Sequence, residues 1–315
     1  MAIEVPKITY SGKIREVKLG SGDKQITVGG EVAYPFHSFE GKAPNPVRIA
    51  MEVFDSPPEE WPEACLEPFK DVINSPLNWA KKCVQDFGAE MICLQLASTD
   101  PNGQNKSAED VLPIVKELAD GIDVPLIVWG CENDDKDAEV LPKVAEACQN
   151  NKIILGPATD KNYKKVGASC IAYGHTVVAA TPIDVNLAKQ LNILLGELGV
   201  HDEQIIIDLN IGGSSIGYGL EYTYSVIERQ KQAALTQQDE KLQLPVICNF
   251  ARDVWKKKEV QADDPKMGDK KNRGILYEAM TGLLQAIAGA DILVMRHPEA
   301  VKLLKGMLKQ LAEEK

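Results

Sequence analysis

Short apolar, β-branched runs alternate eight times with longer amphipathic runs along this chain, and that alternation leaves few folds open to it. The apolar runs fall at residues 47–53, 91–96, 125–129, 153–155, 176–180, 205–209, 245–249 and 292–295. Near-continuous apolarity over so few residues is what a strand buried on both faces requires. The intervening runs carry helix signals. Residues 78–87 stop at Gly88. Ser107 with Asp110 three residues on reads as a capping box. Asp184 precedes a helical run over 185–198 that ends at Gly199. Tyr222, Val226 and Ala233 recur at helical steps within 219–235, the run 273–288 ends at Gly289, and Pro298 opens a last helix. Strand–helix units joined by right-handed crossovers close into a barrel. The predicted fold class is α/β, a (β/α)8 TIM barrel over residues 46–315.

Residues 1–45 do not share the repeat and form an N-terminal extension. Two short extended runs, 14–19 and 25–28, flank the turn-forming Gly20-Ser21-Gly22-Asp23, which predicts a hairpin placed to cap the bottom of the barrel. Residues 54–76 and 252–272, rich in Pro or Lys, read as long loops after the first and seventh strands. Both belong to the C-terminal face, where barrel loops of such length usually serve function.

The formal net charge of −11 argues against nucleic acid or an anionic membrane as a partner, because both demand clustered Lys and Arg. No run of signal-peptide length opens the sequence, and none approaches the roughly 20 apolar residues of a membrane span, so a cytoplasmic protein is expected. Seven cysteines, with no C-x-x-C pair, read as reduced thiols packed in strands and helices. That pattern argues against a disulfide framework and against an iron–sulfur or zinc site carried by this chain alone.

In a barrel of this kind chemistry sits where strands end. Those ends offer Glu52 and Asp55; Gln95, Ser98, Thr99 and Asp100; Cys131, Glu132 and Asn133; Thr159, Asp160 and Asn162; Thr181; Asp208 and Asn210; Asn249 and Arg252; and Arg296 with His297. The mouth is rich in amides, hydroxyls and carboxylates and poor in histidine. His37, His175, His201 and His297 have no metal-ligand spacing; His201 is expected in solvent at the barrel bottom, and both a functional and a capping role fit His297. After the sixth strand, Gly212-Gly213-Ser214-Ser215-Ile216-Gly217-Tyr218-Gly219 matches no phosphate-binding loop; its glycines let backbone approach a flat ligand or a partner, or simply give a flexible loop. Asp208 and Asn210 lie two apart on one strand and so point the same way, which suits a pterin-like or nucleobase-like edge. Equally, Asp208 would cap a loop or pair with Arg252. A cluster of Glu52, Glu132 and Asp208 for metal or acid–base work is a weaker reading that no spacing enforces. The cofactor-binding candidates are Thr99, Asp100, Glu132, Thr181, Asp208, Asn210, Ser214, Ser215, Gly217, Tyr218, Asn249 and Arg252, with no catalytic residue and no metal ligand assigned.

Residues 87–101, from Phe87-Gly88-Ala89-Glu90 to Ser98-Thr99-Asp100-Pro101, resemble the pterin-binding barrels, which include dihydropteroate synthases and methyltetrahydrofolate:corrinoid methyltransferases. The acidic residue often carried on this strand in that superfamily is Leu94 here, and the third strand, Leu126 to Gly130, has no aspartate. A closer resemblance covers nearly the whole chain. Its motifs are Gly217-Tyr218-Gly219-Leu220-Glu221-Tyr222-Thr223-Tyr224-Ser225 with Glu228-Arg229, Pro182-Ile183-Asp184-Val185-Asn186 through Asn192, Gly268-Asp269 through Arg273-Gly274, and Ala290-Asp291 through Arg296-His297-Pro298-Glu299-Ala300. Together these resemble the small, delta-type subunits of corrinoid iron–sulfur proteins in the acetyl-CoA (Wood–Ljungdahl) pathway of anaerobic carbon fixation.

That resemblance implies a heterodimeric methyl carrier. The implied partners are the corrinoid iron–sulfur protein large subunit, a methyltetrahydrofolate:corrinoid methyltransferase, and acetyl-CoA synthase/CO dehydrogenase. The implied cofactors are a cobalamin-type corrinoid shared with the large subunit and a 4Fe–4S cluster held by that partner. The barrel would help bind and shield the corrinoid during methyl transfer, as a non-catalytic or co-catalytic subunit. The residues agree with that division, since the chain has no cysteine cluster and no D-x-H-x-x-G signature for a lower axial histidine. Two alternatives stand beside it: an independent pterin-dependent methyltransferase, and a scaffold that joins protein partners without touching a cofactor.

Overall fold

The computed structural model describes residues 6–210 and 219–313. Among the described residues ten strands are present, numbered in chain order. β1 (Val17–Leu19) and β2 (Ile26–Val28) form the expected antiparallel hairpin, with Val17 opposite Val28. β3 (Arg48–Phe54), β4 (Met91–Gln95), β5 (Leu126–Trp129), β6 (Ile154–Ala158), β7 (Thr176–Ala180), β8 (Ile205–Asp208), β9 (Ile247–Asn249) and β10 (Ile292–Met295) form one parallel sheet, ordered β8-β7-β6-β5-β4-β3-β10-β9. Ile207 bridges to Val246 in parallel, with its N–H donating to the Pro245 carbonyl at 2.9 Å, which brings β8 and β9 together and closes the barrel. Among the described residues no helix is long and apolar enough to cross a membrane.

The helices begin and end where local chemistry dictates. Ser107 and Asp110 complete the capping box ahead of the helix Ala108–Gly121. The Asp184 carboxylate accepts the Asn186 and Leu187 N–H groups ahead of the helix Val185–Leu198, and Gly199 ends it in the left-handed region. Two expected boundaries move: the first long helix is Pro76–Gln85, capped by Ser75, and another runs Lys270–Ala288, capped by Asp269. The segments read as long loops are not wholly irregular. One holds a short helix, Glu63–Leu66, and the other holds Ala251–Lys256 and Lys258–Gln261.

The core has two layers. The larger lies between barrel and helices and takes the outward residues of each strand, such as Ile49, Met51 and Val53. The smaller fills the barrel lumen with Ala50, Met91, Cys93, Ile127, Trp129, Ile154, Val178, Ile206, Ile247, Ile292 and Val294. Val17, Leu19 and Val28 of the hairpin join this inner cluster, so the extension plugs the lumen from below. Buried ions fasten the plug: Lys231, on the helix Leu220–Leu235, pairs with Glu31 beyond the hairpin and with Asp291 before β10. The lumen is therefore packed at its base and in its middle, and any site open to a ligand lies at the strands' C-terminal ends.

Candidate functional site at the barrel mouth

Side chains on a strand alternate between faces, so the inward set can be read in steps of two. Ala50 leads to Glu52, Cys93 to Gln95, Ile206 to Asp208, Ile247 to Asn249, and Val294 to Arg296. The inward positions turn from apolar to polar at the top of the barrel. That switch builds the mouth.

One side of the mouth is a cleft of about 700 Å³ between β3, β4, β5 and the segments that follow β3 and β9. Arg296 forms part of its lining while only 2 % exposed. Its Nε donates to Glu52 Oε2 at 2.7 Å, and its guanidinium lies 4.0 Å from the Trp61 ring centroid. Phe54 flanks it at 5.9 Å. The planar cation is thus held by a carboxylate on one side and an aromatic face on another. Behind it Glu278 accepts the Arg296 N–H at 2.5 Å and the Trp255 indole N–H at 2.8 Å; burial pushes its carboxyl up to about 7.

Glu132 links this cleft to the lumen. Its carboxylate accepts from the Trp129 indole at 3.1 Å and from Arg252 at 2.5 Å. The residue stands at φ +66°, a left-handed conformation that side chains with a Cβ seldom adopt. Asp137 enforces it, because its carboxylate accepts the N–H groups of both Cys131 and Glu132, at 2.9 and 3.0 Å. Burial raises Asp137 to about 7. Gly130 is required beneath, since a Cβ there would lie 2.2 Å from Asp137 Oδ1.

On the opposite side, Thr181, Asp208 and Asn210 meet at the ends of β7 and β8. The Thr181 N–H donates to the Asp208 carbonyl at 2.9 Å, and Asp208 Oδ1 accepts the Asn210 N–H at 2.9 Å. Burial pushes the Asp208 carboxyl up to about 8. The Thr181 hydroxyl and both polar atoms of the Asn210 amide are buried with no hydrogen-bond partner. Such orphaned groups are costly, and a cluster of them at a barrel mouth fits an incoming polar ligand.

The candidates thus fall in several places. Glu132 pairs with Arg252; Thr181, Asp208 and Asn210 cluster; Asn249 accepts from Gln95 at 3.3 Å. Of the two roles open to Asp208, loop capping is the one observed, and Arg252 takes Glu132 as its partner instead. Thr99 is buried, with its hydroxyl donating to the Leu96 carbonyl at 2.7 Å. Asp100 lines the cleft, and its carboxylate accepts the Asn102 N–H at 2.8 Å. Ser214, Ser215, Gly217 and Tyr218 lie outside the described residues. Glu52, Glu132 and Asp208 do not converge on a metal: Glu52 and Glu132 each hold an arginine, and no three potential ligands gather among the described residues. Sequence reasoning missed Trp61, Trp255, Asp137 and Glu278. A loop tryptophan followed by a proline, Trp61 in Glu60-Trp61-Pro62, was the one available signal.

The histidines lie away from the open mouth. His175 is buried, with Nε2 bonded to the Ala145 carbonyl at 2.9 Å, and His201 is exposed at the opposite end of the barrel. His297 is buried against Trp255, with ring centroids 5.7 Å apart, and its Nδ1 accepts the Glu299 N–H at 3.2 Å, so the observed role is capping the last helix.

Comparison with known proteins gives the fold and the family separately. Dihydropteroate synthases from Thermus thermophilus and Xanthomonas albilineans superpose with TM-scores of 0.58. They cover 90 % and 95 % of this chain, with 100 % and 98 % of their own chains matched. Identity to them is 15 % and 14 %, a likeness of fold alone. In sequence, the chain is 35 % identical to the acetyl-CoA decarbonylase/synthase complex subunit delta of Methanothermobacter thermautotrophicus, over 95 % of this chain and 76 % of that one. It is 36 % identical to subunit delta 1 of Methanosarcina thermophila, over 96 % of this chain and 71 % of the relative. The family model described as CO dehydrogenase/acetyl-CoA synthase delta subunit matches residues 16–311. The family model and the relatives, each matched over nearly all of this chain, agree: this chain belongs to the CO dehydrogenase/acetyl-CoA synthase delta-subunit family.

Proposed function

We propose that this barrel is the small subunit of a heterodimeric corrinoid iron–sulfur methyl carrier and that its mouth covers a corrinoid shared with the large subunit. Thr181, Asp208 and Asn210 would hold the ring's edge, and a corrinoid bound there would supply cobalt as the methyl-carrying centre between a methyltetrahydrofolate:corrinoid methyltransferase and acetyl-CoA synthase/CO dehydrogenase. The supporting observation is the buried, unpartnered amide of Asn210 beside the unpartnered Thr181 hydroxyl. A corrin ring is fringed with amides that both donate and accept, so the two chemistries match. The residues present do not supply an exposed imidazole at the mouth, and the seven thiols among the described residues are free and unclustered, which fits cobalt and 4Fe–4S ligation by the partner. This chain would orient the ring edge, exclude water and oxidants, and leave acid–base chemistry to other subunits.

The test is reoxidation of reduced cobalt. The corrinoid-bearing subunit is reduced anaerobically and mixed with a fixed dose of oxidant, with and without this chain. Slower loss of the cobalt(I) absorption band with the chain present, weakened by Asn210→Ala and Thr181→Val, is the expected result. An unchanged rate overturns the reading.

One observation favours a second reading. Asp208 and Asn210 sit where a barrel of the dihydropteroate synthase fold has its mouth, and a carboxyl with a raised pKa donates at neutral pH. Calorimetry with methyltetrahydrofolate decides between them: binding to the isolated chain, lost in Asp208→Ala, would point to an independent pterin-dependent methyltransferase.

A further inference from the structure

The ion pair at the back of the cleft is only half closed. Nε and Nη2 lie along one edge of a guanidinium, and a carboxylate that meets that edge squarely takes both. Here Glu52 takes only Nε, through Oε2 at 2.7 Å. Arg296 Nη2 and Glu52 Oε1 are both buried with no hydrogen-bond partner. The two residues are 2 % and 0 % exposed, and Arg296 lines the cleft. The Trp61 ring covers a face of the guanidinium at 4.0 Å, which leaves the edge for a partner. A buried donor and a buried acceptor left open in one ion pair call for a group that both accepts and donates.

The charges around the cleft decide what that group is. Its lining cations are Arg252, Lys256 and Arg296. Each already faces a carboxylate, of Glu132, Glu60 and Glu52 respectively. The lining acids Glu59 and Asp100 come in addition. An anion therefore meets no uncompensated positive charge, and a cation meets the Arg296 N–H. A neutral primary carboxamide satisfies both open positions: its oxygen accepts from Nη2 and its NH2 donates to Oε1.

This gap has a counterpart across the mouth. Thr181, whose hydroxyl is unpartnered, follows β7, and Glu52 stands on β3. In the closed eight-stranded barrel those two strands are four apart in either direction. The Glu132–Arg252 ion pair joins the segments after β5 and β9, also four strands apart, and so crosses the mouth between them. A ligand that meets both unpartnered sets lies over this bar and carries amides on opposite edges. A corrin ring, with carboxamides around its rim, is such a ligand.

We propose that the half-open Glu52–Arg296 pair is a second ring-edge subsite, which receives a rim carboxamide of the shared corrinoid opposite the edge held at Thr181 and Asn210. The proposal rests on the corrinoid reading above and adds that the ring is held from two sides, the second being the Trp61 cleft. Glu52 and Arg296 orient the ring and take no part in the chemistry at its centre.

The experiment measures association of the purified full chain with the purified corrinoid-bearing subunit by sedimentation, with that subunit loaded and with it stripped of corrinoid. Loading is expected to lower the Kd of the wild-type chain at least about tenfold. Glu52→Gln still accepts from Arg296 Nε but sets an NH2 where Oε1 stood, against the NH2 of the carboxamide. Trp61→Leu removes the plane that holds the guanidinium. Each is expected to remove at least about fivefold of the gain from loading, while the Kd for the stripped subunit changes less than about twofold. Circular dichroism checks that both are folded, and Trp61→Leu, which leaves the ion pair in place, carries the test if Glu52→Gln is not. Folded variants that keep the full gain overturn the proposal; where Asn210→Ala loses that gain, the corrinoid reading stands without it. An equal loss toward the stripped subunit means that the cleft receives a side chain of the partner polypeptide, and overturns the proposal too. A wild-type chain indifferent to loading overturns the corrinoid reading itself.

Discussion

Arg296 and Glu52 form a buried ion pair across the junction of β10 and β3, 2.7 Å apart, with both side chains withdrawn from solvent. Neither charge has water to fall back on, so each depends on the other. Removing the carboxylate in Glu52→Ala strands the guanidinium between Trp61 and the lumen. The expected loss is roughly 3–5 kcal/mol of folding free energy, read from urea unfolding. Arg296→Met, which fills similar volume but strands Glu52, should cost a comparable amount. The double variant should lose less than the sum of the two, because no unpaired charge remains.

Lys231 holds the barrel's lower plug by the same logic. It is fully buried and joins Glu31 of the extension to Asp291 at the foot of β10, which also accepts the Val246 N–H at 2.8 Å. Lys231→Met leaves two buried carboxylates without their cation. Hydrogen exchange in residues 17–28 should accelerate more than exchange in β4 or β5, because the plug loses its anchor while the upper lumen keeps its packing. Equal acceleration throughout would show that hairpin and barrel unfold together.

The strands, most helix ends and the inward polar set were legible because each depends on local period or cap chemistry. Glu52, Asp208 and Arg296 follow from stepping by two along apolar strands, and Ser107 with Asp110 is a cap written within four residues. What was not legible depends on contacts far apart in the chain. Arg252 chooses Glu132, 120 residues away, over Asp208, because Asp137 turns Glu132 into a left-handed conformation that aims it at Arg252 and Trp129. Trp61 reaches Arg296 from a segment that reads as loop. Leu276 and Met280 look like core residues until burial shows which helix face meets the barrel.

Gly274 is a sharp test of packing at the cleft's back wall. A Cβ at this position would lie 2.3 Å from Trp255 Cζ3, and the ring is held by Glu278 and stacked on His297. Gly274→Ala must therefore displace the tryptophan or the helix. A destabilisation of roughly 1–3 kcal/mol is expected despite alanine's better helix propensity. Trp255 emission should shift to longer wavelength as its indole N–H loses Glu278. Unchanged stability and emission would mean that the wall yields without strain.

Asp208 should set part of the stability–pH profile. Burial raises its carboxyl from 3.8 to about 8, so the folded chain keeps a proton that the unfolded chain releases. Below pH 4 both states hold the proton and the group contributes nothing to the slope. Between pH 4 and 8 the unfolded state binds fewer protons, so stability falls as pH rises. Asp137 and Glu278, each raised to about 7, act in the same direction, whereas His297, lowered to about 4 by burial, lowers stability as pH falls from 6.5 toward 4. Subtracting the wild-type curve from that of Asp208→Asn isolates one group, because the amide oxygen still accepts the Asn210 N–H. The difference should be near zero at pH 4, favour the variant increasingly above it, and reach at least about 1 kcal/mol by pH 8. A difference that is flat across this range would show that Asp208 is ionised in the folded chain, and the mouth would then present a carboxylate, not a neutral donor, to whatever it covers.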